Sequence, residues 1–81
     1  MERKEILKQV NDIFIDILDN DQIVLNEHTT VLDVEEWDSL THIQLIVAIE
    51  KHFNIKFTTT ETQSWNDVGE CLDSISKKIP A

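Results

Sequence analysis

Glu35-Glu36-Trp37-Asp38-Ser39-Leu40 is the stretch from which the rest of the chain is read. It marks the point where a long loop gives way to a helix. Asp38 is a favoured N-cap residue, whose carboxylate accepts a hydrogen bond from a free N–H of the first turn. After it, Leu40, Ile43, Ile46, Val47, Ile49 and Phe53 recur at helical spacing. This predicts a helix from Ser39 to about Phe53, closed by Asn54, a residue that tolerates left-handed geometry. Ser39 then takes the first helical position, its hydroxyl outward beside unpaired N–H groups. Those groups and the helix dipole favour an anion, so a phosphodiester on Ser39 is expected to sit well there. Trp37 is expected to anchor the loop end. Leu45 and Ala48 widen the apolar face, as in a helix that is central to a bundle and also offers surface to visitors. Leu45, Ile46, Ile49 and Phe53 are the expected core members.

Upstream, Ile6, Leu7, Val10, Ile13, Phe14, Ile17 and Leu18 form one apolar stripe, predicting a helix over Glu2–Leu18. Asp19-Asn20-Asp21 ends it with turn-forming residues. A connection then runs from Asp19 to Trp37, unusually long for a compact domain. Ile23, Val24 and Leu25 either make a turn of helix or pin the loop, and Val31, Leu32 and Val34 are expected to anchor it. A calcium loop starting at Asp19 fails, because the positions needing Gly and Glu hold Val24 and Thr30.

Downstream, Ile55-Lys56-Phe57 is too short for a partnerless strand and reads as an extended link with Ile55 and Phe57 inward. Thr58 and Glu61 form a capping box that opens a short helix ending near Ser64. Asp67 caps a last helix, with Val68, Cys71, Leu72, Ile75 and Ile79 inward, Gly69 tolerable in its first turn, and Pro80 and Ala81 as a frayed end. The fold class expected is all-α: three principal helices, one short helix, and a long loop between helices one and two, in a single domain spanning residues 1–81.

With 41% hydrophobic residues, the chain supports a packed domain rather than a disordered tail. Sixteen acids against seven Lys and Arg give a net charge of −9, which repels nucleic acid and suits basic partner surfaces. No apolar run approaches a membrane span, and the start carries no stretch of signal-peptide length, so a cytoplasmic monomer is expected. One cysteine gives neither an internal disulfide nor a zinc site, and Cys71 is expected to be a buried helix residue.

Asp38-Ser39-Leu40, with Phe53-x-Ile55-x-Phe57 and Val68-Gly69-Glu70-x-Leu72-x-x-Ile75 at matching distances, resembles the acyl carrier proteins over nearly the whole chain. The resemblance implies a small carrier-type helical bundle whose long loop crosses between two near-parallel helices. It further implies a 4′-phosphopantetheine arm, derived from coenzyme A, on Ser39, carrying acyl groups as thioesters. Asp38 would help a phosphopantetheinyl transferase position its magnesium ion, which is not a resident metal. Partner enzymes such as a ligase, ketosynthase or acyltransferase would dock on Glu35, Glu36, Leu40, Thr41, Ile43, Gln44, Val47 and Lys51, with Thr41 an exposed position. Carriers of fatty-acid synthesis usually place acids where Thr41, Gln44 and Lys51 stand here. That departure, and the run from Trp37 to His42, is similar to stand-alone carriers of specialised pathways: polyketide, lipid-modification or cell-surface polysaccharide synthesis.

Two other readings compete. A hydrolase using Ser39 with His28, His42 or His52 needs a base, an orienting group and an oxyanion hole around a pocket. Eighty-one residues with one Gly hardly supply these, so no catalytic residue is assigned, and His42 and His52 are expected to be solvated or partner-facing. The second is an acidic interaction module of the same fold whose Ser39 is never modified.

Overall fold

The computed structural model describes residues 2–79. Helix α1 spans Arg3–Leu18, α2 Ser39–Phe53, α3 Thr59–Gln63 and α4 Val68–Lys78, with a single 3₁₀ turn at Val31–Asp33. The described residues are all-helical and include no strand, and none of the helices is long and apolar enough to cross a membrane. The expected class and helix order therefore hold, and the frayed end expected at Pro80 and Ala81 lies outside the described residues.

Several helix ends carry the local chemistry expected of them. Asp19 and Asn54 close α1 and α2 in the left-handed region, with φ of 52° and 57°. Asx side chains tolerate that geometry better than most. Thr58 accepts from Glu61 N–H while Glu61 accepts from Thr58 N–H, the reciprocal cap foreseen for α3. Asp67 accepts from Glu70 N–H at the start of α4.

The core gathers the inner stripes of α1 (Ile6, Val10, Phe14), α2 (Leu45, Ile49) and α4 (Val68, Leu72, Ile75), with α1 packed against both other long helices. Ile46 and Phe53 lie half-buried at the edge of this core rather than within it. Cys71 is buried as expected, and burial pushes its thiol up to about 12.

The long loop is held by backbone and side-chain hydrogen bonds as much as by apolar contacts. Ile23 and Leu25 point inward without forming a helical turn, while Val24 between them faces solvent. The Asn11 side-chain amide clamps this segment to α1, donating to Ile23 O (3.1 Å) and accepting from Leu25 N–H (2.6 Å). Val31 and Leu32, expected as anchors, are corrected: Leu32 is 95% exposed and Val31 is also exposed. The 3₁₀ turn leaves both exposed, while Val34 and Trp37 are buried as expected.

At its far side the loop meets the start of α4. Val68 N–H donates to Thr29 O (2.9 Å) and Gly69 N–H to Glu27 O (2.8 Å). Two orphan donors of a helix terminus are thus satisfied by loop carbonyls. A Cβ added at Gly69 would stand 2.8 Å from Glu27 O, closer than atoms of that kind approach. The Arg3 guanidinium crosses the same seam, bonded to Gly69 O, Asp73 and Glu27. Glycine in a helix interior ordinarily costs ~1 kcal/mol against alanine. Here Gly69→Ala should instead destabilise by about 1–3 kcal/mol, because the clash is with backbone. Urea denaturation checks this, and a stabilised variant would show that the seam yields freely.

Candidate functional site

The first turn of α2 is organised by Asp38 and Thr41. Asp38 Oδ1 accepts from Leu40 N–H (3.0 Å) and Thr41 N–H (2.9 Å). Thr41 Oγ1 accepts from Asp38 N–H (2.8 Å) and donates to Glu36 O (2.9 Å). The Thr41 N–H bond, with help from the Thr41 hydroxyl and Leu40 N–H, holds the Asp38 carboxyl below its usual range. Two expectations change. The first-turn N–H groups are not waiting for a phosphodiester, since Asp38 already takes two of them. Thr41 is half-buried in the cap, so it is not the freely exposed docking position expected.

Ser39 stands between these two residues with an exposed side chain, and the cap is completed without its hydroxyl. The backbone beneath it is fixed while the oxygen faces solvent. Those are the conditions for a group that another enzyme must reach and modify. Along the same helix, Leu40, Ile43, Gln44, Val47 and Lys51 are exposed at three- and four-residue spacing, so they share one face. Leu40 and Ile43 are 66% and 60% exposed. Glu35 is exposed beside them, whereas Glu36 is half-buried and accepts from the Asn20 side chain (2.9 Å).

On the inner side, Trp37 is buried with its ring edge-on to Phe14, and its indole N–H donates to His42 Nδ1 (3.1 Å). His42 Nε2 lies 3.4 Å from Thr62 O. His42 is therefore half-buried and paired within the fold, not the solvated residue expected. Its nitrogens face Trp37 and Thr62 rather than Ser39, and His52 Nε2 meets the Gln9 side chain (2.6 Å). Neither imidazole is placed to act as a base on Ser39. Trp65, half-buried between α3 and α4, packs against His42 and has no sequence periodicity that could have announced it.

Residues 8–75 match the family described as phosphopantetheine attachment site. The chain is 33% identical to the acyl carrier protein of Thermosynechococcus vestitus over 82 aligned positions, covering 100% of both chains. It belongs to the acyl carrier proteins. Its identity to the acyl carrier protein of Caulobacter vibrioides is 30%, over 91% of this chain and 95% of that one. Among solved structures, the holo acyl carrier protein of Geobacter metallireducens superposes with a TM-score of 0.84. That relative is 42% identical, with 89% of this chain and 83% of that chain covered. Members of this family are carriers rather than enzymes, and the match implies a covalently attached 4′-phosphopantetheine. The exposed hydroxyl on a capped helix start fits such an attachment sterically, as no packing or cap bond must be given up to modify it.

The cap yields two expected outcomes. Thr41→Ala removes both the acceptor for Asp38 N–H and the donor to Glu36 O, and should cost about 1–2 kcal/mol in chemical denaturation. A change within experimental error would show that the cap bonds are dispensable. The second concerns acid. Asp38 and Glu61 have folded-state pKa values lowered, Glu61 chiefly by the Thr58 N–H and then by Lys78. Such groups stabilise above the unfolded carboxylate value of about 4, and that stability is lost as pH falls through the folded value. From neutral pH towards 5, loss of net negative charge relieves self-repulsion and acts the other way. The melting temperature should hold or rise down to about pH 5 and fall below about pH 4. Asp38→Asn, which can still cap, should flatten the acid limb, and an unchanged limb would remove Asp38 from this account.

Proposed function

We propose that Ser39 is the attachment site of the phosphopantetheine arm, and that the chain is a cytoplasmic, monomeric, single-domain carrier for a specialised biosynthetic pathway. The observation that carries the reading is the exposed Ser39 hydroxyl at the first residue of α2, directly after Asp38, inside the segment that matches the attachment-site family. When bound, the arm supplies a thiol that holds acyl groups as thioesters. The chain's own residues do the rest. Asp38 fixes the helix start and offers its carboxylate to the magnesium ion of the transferase. Leu40, Ile43 and Val47 give partner enzymes an apolar contact, with Glu35 at its edge steering encounter with basic surfaces.

Incubation with coenzyme A, magnesium and a broad-specificity phosphopantetheinyl transferase should add one arm by intact mass, and Ser39→Ala should add none. An arm that persists on Ser39→Ala moves the site elsewhere, and no arm on the unaltered chain favours an unmodified interaction module.

The specialised pathway is supported by Gln44 and Lys51, exposed on the docking face where carriers of fatty-acid synthesis usually place acids. Each exposed ion pair with a basic enzyme groove contributes only ~0.2–1 kcal/mol, but several lost together weaken docking. The holo-protein should therefore be a poor substrate for a general fatty-acid ketosynthase, and the double change Gln44→Glu, Lys51→Glu should raise kcat/KM at low salt more than at moderate salt. Parity of the unaltered chain with a fatty-acid carrier would remove the support for a specialised pathway.

A further inference from the structure

Five aromatic rings run in contact across the bundle, and two of them, Trp37 and His42, belong to residues that flank Ser39 within three positions in the chain. Phe14 meets Trp37 edge-on at 5.0 Å between centroids, and Trp37 stacks on His42 at 6.0 Å. His42 meets the edge of Trp65 at 6.0 Å, and Trp65 meets Phe57 at 5.0 Å. Lys78 Nζ caps the run 5.9 Å from the Phe57 centroid and is tied to Glu61. The run joins residues from α1, the long loop, α2 and both links that flank α3. It is also pinned by hydrogen bonds: Trp37 Nε1 to His42, and Trp65 Nε1 to Ser74 Oγ at 2.8 Å. Swinging either indole aside would break such a bond inside a half-buried wall, which is unfavourable.

An alkyl tail on a tethered arm gains by leaving water. The apolar cavity that these rings border is lined by Trp37, His42 and Trp65 and reaches Ile46, Ile49, Val68 and Cys71. Its volume is about 10 Å³, at the threshold for a single water molecule. Outside, Leu40, Ile43 and Val47 lie on a convex helix face that covers a tail on one side only. We propose that the Trp37–His42–Trp65 wall is a specificity element that shuts acyl tails out of the bundle, so that this carrier serves short or polar acyl groups and presents them in solvent. The proposal rests on the arm being attached at Ser39.

The test loads propionyl and octanoyl arms from the corresponding acyl-coenzyme A, with loading verified by intact mass. Melting temperature and the rate of thioester cleavage by hydroxylamine are then compared. For the unaltered chain the two cargoes should melt together and be cleaved at similar rates. In Trp65→Leu and in His42→Ala, each first checked for helical content, the octanoyl form should melt higher and be cleaved several-fold more slowly than the propionyl form. Protection of the octanoyl group in the unaltered chain overturns the proposal. Absence of protection in both folded variants overturns the assignment of exclusion to these rings. If mass shows no arm on Ser39, the proposed function fails separately. Ser39→Cys alkylated with propyl and octyl maleimides then puts the same tails on the helix end, Cys71 being buried, and the melting comparison decides the exclusion by itself.

Discussion

Two loop carbonyls, Thr29 O and Glu27 O, receive the first N–H groups of α4, and the geometry of the whole chain follows from that short seam. A connection of this length has a large conformational entropy to lose, and scattered apolar anchors alone would fix its ends but not its path. The seam fixes the path. It requires backbone to approach backbone so closely that a Cβ at position 69 would force the seam to shift. Arg3 fastens α1 to the same place, and Asn11 holds the loop's earlier half against α1. With the loop so constrained, Val34 and Trp37 fall over the core, and the chain reaches Asp38 with its direction already set.

From there the helix start is determined locally. Asp38 and Thr41 satisfy each other's backbone N–H groups, and Glu36 O takes the remaining hydroxyl proton. Ser39 is left as the residue that the fold does not use. One side of α2 is packed into the core and the other is left apolar and exposed. Trp37 and His42 form the border between these sides.

What could be read in the sequence is what depends on neighbours in the sequence. The stripes of α1 and α2, the caps at Asp38, Thr58 and Asp67, the left-handed stop at Asn54 and the exposure of Ser39 all come from interactions within a few residues. Val31 and Leu32 misled because hydrophobicity says only that burial is favourable, not that a tight 3₁₀ turn will point those side chains inward. Thr41 was misplaced for a related reason: as the residue at N3 of α2 it looks like surface, but its hydroxyl is taken by backbone on both sides. Gly69, Asn11 and Trp65 depend on partners 12 or more residues away, or on a ring whose position no periodicity encodes. His42 belongs with them, since its pairing with Trp37 becomes visible only once the loop is folded over the core.

Cys71 has a consequence for fidelity. A carrier that holds its cargo through sulfur is exposed to theft by any other sulfur on the same molecule, because thiolates exchange acyl groups readily. Burial raises that thiol to about 12, so it has little tendency to ionise at neutral pH. It is also walled off by α4's own packing. The chain therefore keeps its single cysteine out of reach of thioester exchange with the arm.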